Sequence, residues 1–113
     1  MELSEIMKMQ AEFDRMHGWF DPIGAATIGA LEHGVVCLTG ELGEFANVVK
    51  KVVRGDFSYE EALPMLKEEL VDEFIYLVKI CNQMQIDLEA EYLRKLSINQ
   101  VRFKSKKLPD IQP

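Results

Sequence analysis

The apolar residues of this chain recur at the three- and four-residue spacing of amphipathic helices, and no stretch alternates as a β-strand does. This pattern predicts four helices. We expect them over residues 4–17, 27–54, 64–83 and 88–104, with a short turn over 59–63 before the third. The prediction is an all-α, four-helix-bundle-like fold formed by a single domain over residues 1–113.

Residues with special backbone preferences set the ends of the first two helices. Ser4 is a suitable N-cap for the first helix. The Gly18–Pro22 segment ends it, because Pro22 disfavours helical geometry at the preceding residue. Gly55 is expected to end the second helix as its C′ residue. Four glycines inside that helix predict close packing against a neighbour or a ligand: Gly29, Gly34, Gly40 and Gly43.

The later helices carry equally clear end signals. Ser58 and Glu61 have the spacing of a capping box. Pro64 suits the first turn of a helix better than its interior, so we expect the third helix to begin there. Asp87 is the expected cap of the fourth helix. Residues 105–113 are expected to form a loose tail.

Two helices have broad apolar arcs that we expect to face the core. The arc of the second helix comprises Leu38, Leu42, Phe45, Val49 and Val52, and that of the third comprises Leu66, Leu70, Phe74, Leu77, Val78 and Cys81. An acidic pair borders each arc: Glu41-x-x-Glu44 and Glu69-x-x-Asp72. At this spacing both members of a pair point the same way, about one turn apart.

The position of the acidic pairs predicts a divalent-metal site. Carboxylates removed from water cost several kcal/mol unless something neutralises them. Two pairs face to face would supply four oxygen donors, which suit Mg²⁺ or Mn²⁺. The alternative is a solvated surface, or ion pairs with Lys50, Lys51 and Lys67. We assign Glu68 and Glu73 to that solvated class.

Composition narrows the class of function. A net charge of −6 argues against a duplex nucleic-acid partner, and no apolar run is long enough for a membrane span. The first residues lack the features of a secretion signal, so we expect a cytoplasmic location. Cys37 and Cys81 are expected to be reduced, buried thiols.

The acidic motifs and a later basic segment together resemble a known family. The segments are Gly40-Glu41-x-Gly43-Glu44, Glu69-Leu70-x-Asp72-x-x-Ile75-Tyr76 and Lys95-x-x-x-Asn99-x-x-Arg102. In this order they resemble the MazG-like all-α nucleoside triphosphate pyrophosphohydrolases, and most closely the dCTP pyrophosphatase branch. The resemblance covers about residues 35–103.

The resemblance implies Mg²⁺-dependent cleavage of a nucleoside triphosphate to a monophosphate and pyrophosphate, in house-cleaning of the nucleotide pool. It implies that Glu41, Glu44, Glu69 and Asp72 hold the metal. Tyr76, Lys95, Asn99 and Arg102 would contact the substrate, with the Arg102 guanidinium able to bind phosphate in bidentate fashion. These eight positions form the expected centre of the site.

One departure concerns water activation. Many MazG-like proteins open the first motif with two consecutive acids, whereas this chain has Gly40 in the first position. The dCTP pyrophosphatase branch also has glycine there. Glu41 or Glu44 therefore remains as the candidate catalytic residue that orients the attacking water.

The base-binding residues are open to more than one interpretation. Trp19, Phe20 and His33 are candidates for stacking on or bonding to a nucleobase, although Trp19 could equally cover the core. Lys51, on the same helical stripe as His33, is a further candidate substrate contact. His17 is expected to interact with the end of the first helix.

Two other functions fit the helical pattern less well. A carboxylate-bridged di-iron bundle would need Glu-x-x-His motifs, and the chain has none. A non-catalytic helical module for oligomerisation or partner binding, with a vestigial acidic motif, is the stronger alternative. The amount of apolar surface predicts a homo-oligomer, a dimer or a dimer of dimers, with active sites near subunit contacts.

Overall fold

The computed structural model describes residues 1–20 and 28–103, and this part of the chain contains four α-helices and no strand. They are α1 (Leu3–Met16), α2 (Ile28–Arg54), α3 (Tyr59–Gln83) and α4 (Leu88–Arg102). The predicted all-α class is confirmed, and none of these helices is long and apolar enough to cross a membrane. The predicted break at Pro22 and the predicted tail over 105–113 lie outside the described residues.

The start of α1 differs from the prediction. The helix begins at Leu3, so Ser4 lies inside its first turn, and the N-cap is Glu2, which makes no side-chain cap. A residue from another helix replaces the cap, since the backbone N–H of Leu3 donates to Glu89 Oε1 at 3.1 Å. The sequence missed this start because the capping group comes from 86 residues further along the chain.

Two predicted helix ends are confirmed at the α2–α3 connection. Gly55 has φ +90° and ends α2, with its N–H bonded to Val52 O and the next N–H bonded to Lys51 O. Ser58 and Glu61 form the predicted capping box, each side chain accepting from the other residue's backbone N–H. These bonds turn the chain through a short loop and return it along α2.

The predicted turn over residues 59–63 is wrong, because α3 is continuous from Tyr59 and contains Pro64 in its second turn. Proline there removes the bond that its own N–H would have made to the carbonyl of Glu60, and its ring crowds the same carbonyl. The capping box fixes the helix before it, and Ala62 and Leu66 are buried on either side of it. Burial and capping together outweigh the local cost. The predicted cap of α4 is confirmed, since Asp87 accepts from the N–H of Ala90.

The antiparallel pair α2–α3 forms the main body of the chain. Gly34, early in α2, lies against Ile80, late in α3, so closely that a Cβ on Gly34 would be 3.1 Å from Ile80 Cγ1. The close packing predicted from the glycines therefore holds at Gly34. At Gly29, Gly40 and Gly43, nothing in the described chain beyond the chain neighbours and the nearby backbone of α2 lies within 4 Å of the corresponding position.

Helix α1 packs across the C-terminal half of α3. Met7 joins Val78 and Cys81 in the core cluster, and Leu3, Ile86 and Leu88 pack around it. Asn82 Nδ2 donates to the Met7 carbonyl at 3.0 Å. Within the described residues α4 has its main contacts with α1, near its own first turn. Within residues 1–20 and 28–103, the four helices therefore do not close a four-helix bundle.

Much of the expected core is exposed in the single chain. On the α3 arc Leu66, Val78 and Cys81 are buried, but Leu70 is 50% exposed and Phe74 39%. No residue of α2 or α4 is fully buried. The radius of gyration is 17.3 Å, against about 13 Å for a compact domain of this length. The predicted arcs are thus only half covered.

Candidate metal centre

Three carboxylates from α2 and α3 converge at the middle of the helical pair. Glu41 comes from α2, and Glu69 and Asp72 come from successive turns of α3. One oxygen of each lies within 4.8 Å of the others, and all three side chains are partly shielded from water. Antiparallel packing brings the two predicted acidic pairs to the same level, so the predicted convergence is found for these three residues.

The fourth predicted ligand lies at the edge of the cluster. Glu44 is exposed, one turn after Glu41 on α2, and its carboxylate is close enough to Glu69 to share a hydrogen bond when one of the two is protonated. It is therefore a neighbour of the cluster centred on Glu69, with more contact with solvent than the other three.

The cluster holds negative charge that the described chain does not neutralise. The Oε2 atoms of Glu41 and Glu69 are shielded from solvent and have no hydrogen-bond partner. Among residues 1–20 and 28–103, no lysine or arginine forms an ion pair with Glu41, Glu69 or Asp72. The alternative in which nearby lysines pair with these acids is not what the structure shows. Orphaned carboxylate oxygens that face one another are the donor set a hard divalent cation fits.

The same crowding raises the pKa of Glu69 to about 7. The largest cause is a hydrogen bond with Glu41, which can form only while one carboxyl carries a proton; burial, the similar bond with Glu44 and the charges of both neighbours act in the same direction. In the absence of metal, a proton on Glu69 therefore relieves part of the repulsion.

Tyr76 lies next to the cluster on α3, one turn after Asp72. Burial raises the pKa of its hydroxyl, and contact with the Cys37 thiol and the charges of Glu41 and Asp72 raise it further. Cys37 also approaches His33, with 3.6 Å between Sγ and Nε2. Tyr76 and His33 thus both lie beside Cys37. Their contacts with a substrate stay predictions. Cys37, predicted to be buried, is only half-buried, whereas Cys81 is buried; both thiols are free.

A cluster of aromatic side chains extends from Tyr76 towards the end of α1. Lys79 Nζ lies 5.4 Å from the centroid of the Tyr76 ring and 5.1 Å from that of Trp19. Trp19 stacks on His17 with centroids 4.7 Å apart, and is 55% exposed. The structure therefore brings Trp19 to the side of Tyr76, with one lysine between them. His17 Nδ1 lies 2.8 Å from the Phe13 carbonyl, which confirms its expected interaction with the end of α1.

The remaining predicted substrate residues are not brought to the acids within one chain. Lys95 and Arg102 are exposed on α4, and the Arg102 guanidinium lies over the Phe103 ring at 4.9 Å. Asn99 on α4 and Lys51 on α2 are half-buried. Phe20 packs with the Arg15 guanidinium at 4.6 Å, beside α1. No hydrogen bond or ion pair of the described residues connects these five side chains to the cluster.

Three residues of interest were missed by the sequence pattern. Asp14 is almost completely buried and pairs with Lys79, which in turn meets Trp19 and Tyr76. Glu73, predicted to be solvated, has Oε1 shielded and without a partner, whereas Glu68 is exposed as expected. Lys79 offered one weak signal, being a lone cation within the apolar α3 segment from Phe74 to Cys81.

Comparison with known proteins does not assign the chain to a family. No protein-family model matches the chain, and no curated protein matches it.

Proposed function

We propose that the protein is a Mg²⁺-dependent nucleoside triphosphate pyrophosphohydrolase, which hydrolyses its substrate between the α and β phosphates to a monophosphate and pyrophosphate. The observation that carries this proposal is the convergence of Glu41, Glu69 and Asp72. In the described chain the shielded Oε2 atoms of Glu41 and Glu69 have no hydrogen-bond partner. The MazG-like motifs, which match these positions, support the same activity.

Glu41, Glu69 and Asp72 would hold the cation, with Glu44 completing the set from the solvent side. When bound, Mg²⁺ or Mn²⁺ would offset the charge of the phosphates and lower the pKa of a water molecule. The exposure of Glu44 favours it over Glu41 for orienting the attacking water, because Glu41 is engaged with Glu69. Without such a cation, the acidic cluster would repel a triphosphate.

We expect the bound nucleotide to lie along the axis of α3. Phosphates at the cluster would put the sugar near Tyr76 and the base near Trp19, with His33 at the side. Asp72 and Lys79 are seven residues apart, about 11 Å along the helix at its ordinary rise. A base stacked on Trp19, which is already exposed beside this axis, would bury an aromatic surface that otherwise faces water.

A second copy of the chain would complete the site. Exposed apolar residues on three helices form the surface it would cover: Leu42, Val49 and Val53 on α2, Leu70, Val71, Phe74 and Leu77 on α3, and Tyr92, Ile98 and Val101 on α4. Exposed apolar area of this extent is typical of a subunit interface. In a dimer or dimer of dimers, Lys95, Asn99 and Arg102 of one copy would approach the phosphates held by the other.

Mixing two inactive variants tests this arrangement. If each site uses acids from one chain and basic residues from another, Asp72→Asn and Arg102→Ala proteins should regain activity when their subunits are exchanged. Sedimentation at micromolar concentration should show no monomer. A monomeric active enzyme would contradict the shared site.

The activity itself is tested by a pyrophosphate-release screen over ordinary and modified nucleoside triphosphates, with Mg²⁺ and with EDTA. Release that requires the metal supports the proposal, and the triphosphates that are cleaved test the proposed role in nucleotide house-cleaning. The alternative, a non-catalytic helical module, predicts oligomers but no release from any triphosphate.

A further inference from the structure

A second pair of metal-ligand side chains lies one turn from the acidic cluster. His33 and Cys37 are four residues apart on α2, so their side chains share one face of the helix. The Nε2 atom of His33 and the Sγ atom of Cys37 are 3.6 Å apart. His33 is exposed and Cys37 half-buried, so an ion from solution can reach both atoms.

This separation suits two ligands of a single cation. Zinc binds histidine nitrogen at about 2.0–2.1 Å and cysteine sulfur at about 2.3 Å in tetrahedral geometry, which places the two ligand atoms about 3.6 Å apart. The same distance fits a thiol–imidazole hydrogen bond between Cys37 and His33. A cation would replace the thiol proton, and the proton would leave to solvent.

We propose that His33 and Cys37 form a binding site for a thiolate-preferring divalent cation, with Zn²⁺ as the fitting ion, separate from the carboxylate site for Mg²⁺. The donor chemistry distinguishes the two sites, because imidazole and thiolate select zinc whereas carboxylates select magnesium. Glu41 follows Cys37 by one further turn on the same face, and the Tyr76 hydroxyl contacts the Cys37 thiol. Water would complete the zinc coordination.

Occupation of this site would inhibit the enzyme, and this consequence rests on the proposed function. Zinc on Cys37 would withdraw the thiol from Tyr76 and add positive charge beside Glu41. Both residues lie where the nucleotide is expected to bind. Zinc at this pair would therefore compete with the Mg²⁺-supported reaction.

Cobalt substitution tests the site without any turnover. Metal-depleted, reduced, full-length protein is titrated with Co²⁺, and a thiolate-to-cobalt charge-transfer band is expected in the near ultraviolet. Cys37→Ser should abolish the band, and His33→Ala should weaken cobalt binding at least about tenfold. Cys81→Ser is the matched control, because that thiol is buried in the core cluster, and it should keep the band. Circular dichroism checks that each variant is folded.

Several outcomes would overturn the proposal: no band in the wild type, a band that survives Cys37→Ser, or a band that Cys81→Ser removes. Zinc inhibition of pyrophosphate release supplies an independent measurement, in which Cys37→Ser should raise the half-inhibiting zinc concentration at least about tenfold relative to Cys81→Ser. A cobalt band with no hydrolysis of any triphosphate would support the zinc site while refuting the pyrophosphohydrolase. Hydrolysis without a cobalt band would support the pyrophosphohydrolase while refuting the zinc site.

Discussion

Two carboxylates that are shielded from water, those of Asp14 and Glu69, have opposite electrostatic environments. Asp14, on α1, is almost completely buried, accepts from Gln10 Nε2 at 3.0 Å and lies 3.6 Å from Lys79 Nζ. Glu69, on α3, is less buried, yet its neighbours are three further carboxylates, those of Glu41, Glu44 and Asp72. The more deeply buried acid is the one whose charge the chain itself satisfies.

This difference indicates that the charge of Asp14 is structural, whereas the charge of Glu69 is available for a ligand. Burial of an ionised carboxylate is tolerated when a cation and hydrogen bonds accompany it, as they do at Asp14. At Glu69 the chain supplies repulsion in place of a partner, and only a proton or an added cation can relieve it. In the metal-free protein, removing the counter-charge of Asp14 should therefore lower stability, whereas removing the charge of Glu69 should raise it.

The largest effect is expected when Asp14 loses its cation. Lys79→Met should lower the free energy of unfolding by about 3–5 kcal/mol, because a buried carboxylate is left without its counter-charge. Urea denaturation followed by circular dichroism measures this change. Lys8→Met, which alters an exposed lysine of α1, is the control and should change the free energy by less than about 0.5 kcal/mol.

A double variant tests whether the loss comes from the charge. Asp14→Asn combined with Lys79→Met should recover part of the lost stability, because the unpaired carboxylate is then neutral. Equal losses in the single and double variants would mean that Lys79 acts through its packing on Trp19 and Tyr76 alone.

At the acidic cluster, the main expected effect is on activity. Asp72→Asn should reduce kcat/KM for pyrophosphate release at least about 100-fold, since even residues that only orient metal ligands contribute 10–100-fold. The matched control is Glu68→Gln, which removes an exposed acid from the same helix. If both variants lost activity equally, general charge and not the cluster would be responsible.

Metal affinity at the acidic cluster should depend on pH. With a pKa of about 7, Glu69 retains its proton below that pH unless a cation displaces it. Apparent Mg²⁺ affinity should therefore fall about tenfold for each pH unit below about 7. Calorimetric titration from about pH 5.5 to about pH 8, a range that spans the pKa of Glu69, measures how Mg²⁺ affinity changes with pH. Glu69→Gln should bind Mg²⁺ more weakly at high pH and lose this part of the pH dependence.

The smallest effect, and the one with the opposite sign, is on the stability of the metal-free protein. The pKa of Glu69 is raised from 4.5 to about 7 on folding, so the folded chain keeps a proton that the unfolded chain has released. The contribution of this Glu69 proton to the stability of the metal-free protein is complete below pH 4.5 and is lost as pH rises through about 7. Glu69→Gln should remove this loss and raise the melting temperature in EDTA at high pH.

Melting curves in EDTA across this pH range compare the wild type with Glu69→Gln and Glu68→Gln. The wild type and Glu68→Gln should share one pH slope, and Glu69→Gln should show a flatter one. Identical slopes in all three proteins would remove the distinction between the two carboxylate environments.

The helices were predictable wherever the deciding interactions are local. The capping box at Ser58, the glycine at position 55 and the cap at Asp87 act over a few residues, and all three are confirmed. The predictions failed at Ser4 and at the start of α3. Glu89 reaches Leu3 from α4, and the burial of Ala62 and Leu66 holds the helix on both sides of Pro64.

The acidic site was predictable in part for a similar reason. The i,i+3 spacing predicts that each pair shares a helix face, but only the antiparallel register of α2 and α3 brings Glu41 to Glu69 and Asp72. Lys79 was missed because its environment comes from α1 and the residues after it. Neither Asp14 nor Trp19 is near Lys79 in the sequence.

The sequence by itself therefore determined the helical class, most helix ends and the two acidic faces, because these follow from spacing and from bonds between near neighbours. The tertiary structure decided which carboxylates meet, which one is neutralised by Lys79 and how much of each apolar arc is covered. Those outcomes depend on contacts between residues far apart in the chain, where geometry and the cost of buried charge select one arrangement from many that the pattern allows.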